Sequence, residues 1–207
     1  MVSFLLNQSN ISGLPDGTNY LQVTIWDGAD AVGRTASGYT AVSNDVFFEV
    51  KTLPALNQYA GSKFGIDEFA FNTIMNLNNY SAGSFMGLPS NWSVGIGAAN
   101  ADGFGKFELI PGTSGANNVV DPLVFAIHNV GGDSATTYQE NSTGNAGQGN
   151  FFFASHVINF SVPGDSSAWF GGSAPATVPL PAAGWLLLSG LAGVAGFARR
   201  RNGSSPK

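Results

Sequence analysis

Apolar and polar residues alternate with a period of two along much of the chain between residues 2 and 170. In the clearest case Leu21, Val23 and Ile25 alternate with polar residues, and the run ends at a turn after Trp26. This period places alternate side chains on opposite faces of a β-strand. Further strands are predicted at 46–51, 64–71, 93–97, 105–110, 123–130 and 151–162. The alternation is loose over 64–71, so a helix is the alternative there.

The segments between these runs are rich in Gly, Asn, Asp and Ser, which tolerate turn conformations. Seven or eight short strands separated in this way favour an all-β fold, an antiparallel β-sandwich of jelly-roll-like character. We assign this domain to residues 1–170 and a flexible linker to 171–177, which reads Gly-Gly-Ser-Ala-Pro-Ala-Thr. The chain has no cysteine, so its core is expected to be held by packing without disulfides.

The last thirty residues have a different pattern. No residue from Pro181 to Ala198 is charged, and this length meets the roughly 18 apolar residues that a membrane-spanning helix needs. We therefore predict a single transmembrane helix at 182–198. Its small residues could pack closely against another membrane helix. They are Gly190, Gly193 and Gly196.

The flanks of this segment predict its orientation. Trp185 suits a membrane interface, and the cluster Arg199, Arg200 and Arg201 is expected to stay cytoplasmic together with residues 202–207. The rest of the chain would then lie outside the cytoplasm. Two alternatives remain open: a membrane anchor that is never cut, and a buried core helix.

The tail resembles the PEP-CTERM sorting signal of exported Gram-negative proteins. The resemblance rests on three parts in order: Val178-Pro179-Leu180-Pro181, a short glycine-rich apolar segment and the arginine cluster. It implies recognition by exosortase, a membrane cysteine protease that removes the tail, with the motif at 178–181 as the recognised element. It also implies inner-membrane anchoring with the body in the periplasm, followed by release to the cell surface or the extracellular matrix. Leu180 stands where the family name has Glu.

An exported protein also needs an export signal. Residues 1–7 have no basic start, and their apolar run is shorter than the ~7–15 residues of a signal core. We therefore expect a leader encoded upstream of Met1.

The charge is divided between the two parts of the chain. All thirteen acidic residues lie between Asp16 and Asp165, whereas half of the eight basic residues lie at the C-terminal end. An acidic body argues against nucleic acid as a partner, because phosphate binding needs clustered Lys and Arg.

No catalytic constellation, cofactor motif or full metal-binding motif is recognisable. His128 and His156 lie in strand-like runs and are expected to be hydrogen-bonded strand residues. Asp67 and Glu68 are adjacent on a predicted strand, so they should face opposite sides and not act together. Calcium binding by aspartates in the turns is an alternative.

These observations favour a non-enzymatic surface or matrix protein of structural or adhesive role. The alternative is a carbohydrate-binding module that acts on extracellular polysaccharide, because such modules stack sugars on exposed aromatic rings. The body's candidates are Trp26, Trp92 and Trp169. A secreted hydrolase is the third hypothesis.

Overall fold

The computed structural model describes residues 1–176, and these residues form fourteen strands. The strands are β1 (Val2–Leu6), β2 (Gln8–Ser9), β3 (Leu21–Asp27), β4 (Thr35–Ala36), β5 (Tyr39–Thr40), β6 (Asp45–Thr52), β7 (Ala60–Phe71), β8 (Phe85–Met86), β9 (Ser93–Ala101), β10 (Gly105–Gly112), β11 (Leu123–His128), β12 (Phe153–Val162), β13 (Asp165–Gly172) and β14 (Ala174–Pro175). The helices are short: α1 (Pro54–Asn57) and the 3₁₀ turns Gly28–Asp30, Leu77–Asn79, Ala82–Ser84 and Ala135–Tyr138. The predicted all-β class is confirmed.

Two six-stranded sheets contain most of these strands. Sheet I has the order β14-β1-β3-β6-β11-β8, and sheet II has the order β2-β13-β12-β7-β10-β9. The small pair β4-β5 forms a third sheet. The pairings between these strands are antiparallel.

The inner faces of the two sheets share one hydrophobic core. Phe48 of sheet I stacks on Phe125 with the ring centroids 4.9 Å apart, and it also packs on Phe71 of sheet II at 5.2 Å. Each outer face carries a smaller apolar cluster: Trp26 and Phe47 belong to that of sheet I, and Phe104 and Phe107 to that of sheet II. The two-residue period of the sequence thus separates a shared interior from two partly covered outer faces.

Each predicted strand corresponds to a strand of the structure, with bounds that differ by a few residues. The segment 64–71 lies within β7, so the helical alternative is wrong there. The predicted strands 93–97 and 105–110 are consecutive in the chain and pair with each other as β9 and β10.

The predicted linker at 171–177 is corrected by the structure as far as residue 176. Gly171 and Gly172 are buried in β13, and β14 pairs with β1. The glycines are needed because the chain packs closely here: a Cβ atom on Gly172 would lie 2.1 Å from the carbonyl oxygen of Leu5. The domain therefore extends past the predicted boundary at residue 170.

The predictions for the tail lie outside the described residues. They concern the motif 178–181, the transmembrane helix 182–198, the basic cluster 199–201 and the segment 202–207. Within residues 1–176, none of the helices has the length and apolar character to cross a membrane.

Candidate functional site

A β-bulge on the outer face of sheet II aims two carboxylates at one histidine. On β12, His156 pairs with Glu68 of β7 and the next residue, Val157, pairs with Ile66. Asp67 is therefore an extra residue without a partner on β12, which is the definition of a bulge. The prediction that Asp67 and Glu68 face opposite sides is wrong, because the bulge interrupts the alternation that it assumed.

The imidazole of His156 is held between a carboxylate and an indole. Its Nδ1 lies 2.8 Å from Oδ1 of Asp67, and the two side chains are 23% and 16% exposed. In the neutral ring Nδ1 must carry the proton to donate to a carboxylate, which leaves Nε2 as an acceptor. The ring also packs on Trp169 with the centroids 5.2 Å apart.

Glu68 completes this group from a half-buried position. Burial raises the pKa of its carboxyl, the charge of Asp67 raises it further, and His156 opposes both effects. Gly112 of β10 lies directly opposite Glu68, and a Cβ atom there would lie 2.9 Å from Cγ of Glu68. The glycine therefore provides the space that the glutamate side chain occupies.

Trp169 is fixed in this row by the loop after β2. Asn10 accepts a hydrogen bond from the Trp169 N–H at 2.9 Å and donates its own N–H to the Trp169 carbonyl at 3.2 Å. Trp169 also packs against the outer cluster that contains Phe104 and Phe107. Trp169, His156, Glu68 and Gly112 thus occupy opposed positions on four neighbouring strands.

This row, which we call the Trp169 row, combines an aromatic surface with hydrogen-bonding groups. A half-buried indole lies beside an imidazole and two carboxylates, and such groups can contact the apolar face and the hydroxyls of a sugar. Within residues 1–176, no three His, Cys, Asp or Glu side chains, these included, have an arrangement suited to a metal ion.

The other histidine belongs to a separate polar group on sheet I. His128 Nδ1 lies 2.6 Å from Oδ1 of Asp45, the residue directly opposite on β6, and the side chain of Asp45 is fully buried. Tyr39 donates to the same carboxylate at 2.7 Å, and the N–H of Val42 donates to it at 2.8 Å. Burial and the hydrogen bond to Asp45 raise the pKa of Tyr39 to about 12. The group holds the loop that contains β4 and β5 against the sheet.

The structure does not bring the three predicted tryptophans together. Trp26 is buried on the outer face of sheet I under the Arg34 guanidinium, 3.6 Å from the ring centre. Trp92 precedes β9 and donates its Nε1–H to the carbonyl of Asn118 at 2.8 Å. Of these three, only Trp169 packs on a histidine that is hydrogen-bonded to a carboxylate.

The predicted sorting residues cannot be placed beside this row. The residues outside the described part of the chain are Val178, Pro179, Leu180, Pro181, Trp185, Gly190, Gly193, Gly196, Arg199, Arg200 and Arg201.

The sequence does not reveal the two histidine–aspartate pairs, because each joins residues more than eighty positions apart. The separation is 83 for His128 and 89 for His156.

Comparisons with protein families, with curated proteins and with solved structures give no match to this chain.

Proposed function

We propose that the chain is an exported, non-enzymatic surface or matrix protein with a cleavable C-terminal sorting signal. The observation that carries this proposal is the three-part tail: the motif at 178–181, an uncharged segment and three arginines. The uncharged segment is long enough for one transmembrane helix, and the arginines favour retention of its end in the cytoplasm. An exosortase-type protease then reads the motif and removes the tail.

The organisation of the domain is compatible with removal of the tail. Both sheets and their shared core are built from residues 1–176, and β14 ends at Pro175, three residues before the motif begins. A Pro-x-Pro stretch stays extended, because proline has no N–H and fixes φ. Cleavage next to such a segment would leave the domain intact.

We further propose that the two sheets form a jelly-roll-like β-sandwich. The chain passes repeatedly between two sheets around one core, which supports a jelly-roll-like β-sandwich. The neighbouring strands β1, β3 and β6 form a meander that a strict jelly roll lacks.

The test of sorting is the double substitution Pro179→Ala and Pro181→Ala in the native host. The expected result is uncut protein that fractionates with the inner membrane. Pro175→Ala is the matched control, because this proline lies in β14 outside the motif, and it should be processed normally. Normal processing of the double variant would refute the motif assignment.

Polysaccharide binding at the Trp169 row is the second candidate function. The observation that favours it is the position of Trp169 beside His156, Asp67 and Glu68 on one sheet face. A sugar ring stacked on the indole would bring its hydroxyls within reach of these groups. Loss of one such aromatic contact costs about 1 kcal/mol, roughly a fivefold loss of affinity.

The test uses extracellular polysaccharide purified from the producing organism and measures co-sedimentation. Trp169→Ala should weaken binding about fivefold, and Trp169→Phe should retain part of it. Trp92→Ala serves as the control, because this half-buried tryptophan lies outside the row. Equal binding by all variants that keep the parent circular dichroism spectrum would refute this candidate.

A further inference from the structure

Strand β9 is the one long free edge among the sheets that the structure describes. The other three edges of sheets I and II are β14, β8 and β2, each of two residues, whereas β9 has nine. Very short edge strands limit pairing with other chains, and a long edge permits it. Sheet II can therefore be extended by another strand at this edge.

The sequence of β9 lacks the residues that usually protect an edge. Ser93–Ala101 contains no charged residue and no proline. In the described part of the chain, the backbone of β9 is paired with β10 and with no other strand. A strand of this kind is a template for backbone pairing, since lysine, proline and inward charges are the common safeguards.

The outward backbone groups of β9 can be identified from its neighbour. Thr113 donates its N–H to Asp67 of β7, so alternate residues of β10 face β7 and the others face β9. Pro111 has no N–H to donate, and it lies two residues before Thr113, so it also faces β7. The alternate residues Ile110 and Gly112 therefore face β9. Because Ile110 pairs with Gly95 and Gly112 with Ser93, the groups that point away from β10 are those of Val94 and Ile96.

The side chains at these two positions are apolar. Ile96 is 39% exposed and is the one exposed large hydrophobic residue of the described chain that lies in a strand. Val94 lies on the same strand face, next to a groove lined by Leu88, Pro89 and Trp92. The free edge thus offers hydrogen bonds and an adjoining apolar surface together.

We propose that this edge pairs with β9 of a second copy of the chain, antiparallel about a two-fold axis at Gly95. In this register Gly95 faces Gly95 of the other copy, and Val94 of each copy faces Ile96 of the other. The outward N–H and C=O groups of Val94 and Ile96 then form the ladder. A two-fold contact needs a self-complementary surface, and the order Val94-Gly95-Ile96 provides one.

Charge and strand geometry both favour this partner. The body carries more acidic than basic residues, but β9 itself is uncharged, so pairing at this edge brings no acidic side chains of the two β9 strands together. An antiparallel pair also keeps the two Asp102 carboxylates at opposite ends. The β9-β10 register shifts after Ile96, so the regular segment available for pairing is Ser93 to Ile96, which contains Gly95.

The direct test introduces one thiol into a chain that has none. Opposed residues of a non-hydrogen-bonded antiparallel pair have Cα atoms about 4.5 Å apart, within the range of a disulfide. A Cβ atom at Gly95 would meet only Ile110, at 3.7 and 3.8 Å, so Gly95→Cys is tolerated. Under mild oxidation the full-length Gly95→Cys chain should form disulfide-linked dimers. Ser167→Cys, an exposed position in β13, should remain mainly monomeric.

A second variant tests the contact without a cross-link. Ile96→Lys places a charge against Val94 of the partner and should raise the dimer dissociation constant at least about tenfold. The constant is measured by analytical ultracentrifugation. Val32→Lys is the control, since Val32 is 54% exposed in a loop. The proposal is overturned if the parent chain is monomeric at every concentration. It is also overturned if Gly95→Cys and Ser167→Cys cross-link equally, or if Ile96→Lys associates like the parent.

Discussion

The substitution Gly172→Ala tests the packing of the end of β13 against β1. The new Cβ atom would lie 2.1 Å from the carbonyl oxygen of Leu5 and 2.7 Å from Cα of Leu6. Both atoms belong to the backbone of β1, so no side-chain rotation can relieve the contact. Strand β1 would have to move, although Phe4 and Leu6 are buried in the core and β1 pairs with β3.

The expected cost follows from this geometry. Overpacking by a methyl group in a core costs about 1–3 kcal/mol, and a forced backbone shift places Gly172→Ala at about 3 kcal/mol or above. That is a large part of the 5–15 kcal/mol that typically separates folded from unfolded domains. The midpoint of urea unfolding of the full chain, followed by circular dichroism, should therefore fall substantially.

Gly131→Ala is the matched control. No atom lies within 4 Å of a Cβ atom at Gly131, so this substitution should change the free energy of unfolding by no more than about 0.5 kcal/mol. If Gly172→Ala also unfolds at the parent urea concentration, the packing of β13 on β1 is wrong. Residues 171–177 would then behave as the linker that composition suggests.

Two further predictions concern the buried group around Asp133. Tyr138 donates to Oδ2 of Asp133 at 2.6 Å, so Tyr138→Phe should lower the free energy of unfolding by about 1–3 kcal/mol, measured by urea denaturation; an unchanged midpoint would exclude this bond. Burial raises the pKa of the Asp133 carboxyl, so the folded state keeps its proton to higher pH than the unfolded state. The free energy of unfolding should therefore fall as pH rises from the ordinary carboxyl pKa through the raised value, and Asp133→Asn should flatten that part of the curve. Parallel stability curves for the parent and this variant would contradict the assignment.

The strands were predictable because their signal is local. Residues 21–25 alternate strictly, and the structure places Val23 and Ile25 in the core on one side of β3. The glycines at 171–172 misled the prediction, since the same residue type serves flexible linkers and close backbone contacts. Only the position of β1 against β13 distinguishes the two.

The Trp169 row was not predictable as a unit. Asp67 and His156 are 89 residues apart, and their contact depends on the register of β7 against β12. The bulge that brings Asp67 and Glu68 to one face leaves no local pattern in the sequence. The sequence indicates Trp169 as a candidate through its residue type alone, and its polar neighbours come from three other parts of the chain.

Mass spectrometry of the mature protein from its native host tests the central proposal most directly. We predict that the protein recovered outside the cytoplasm ends close to Pro179–Pro181 and lacks the arginines at 199–201. Recovery of the intact chain from the cell interior, still ending at Lys207, would contradict it.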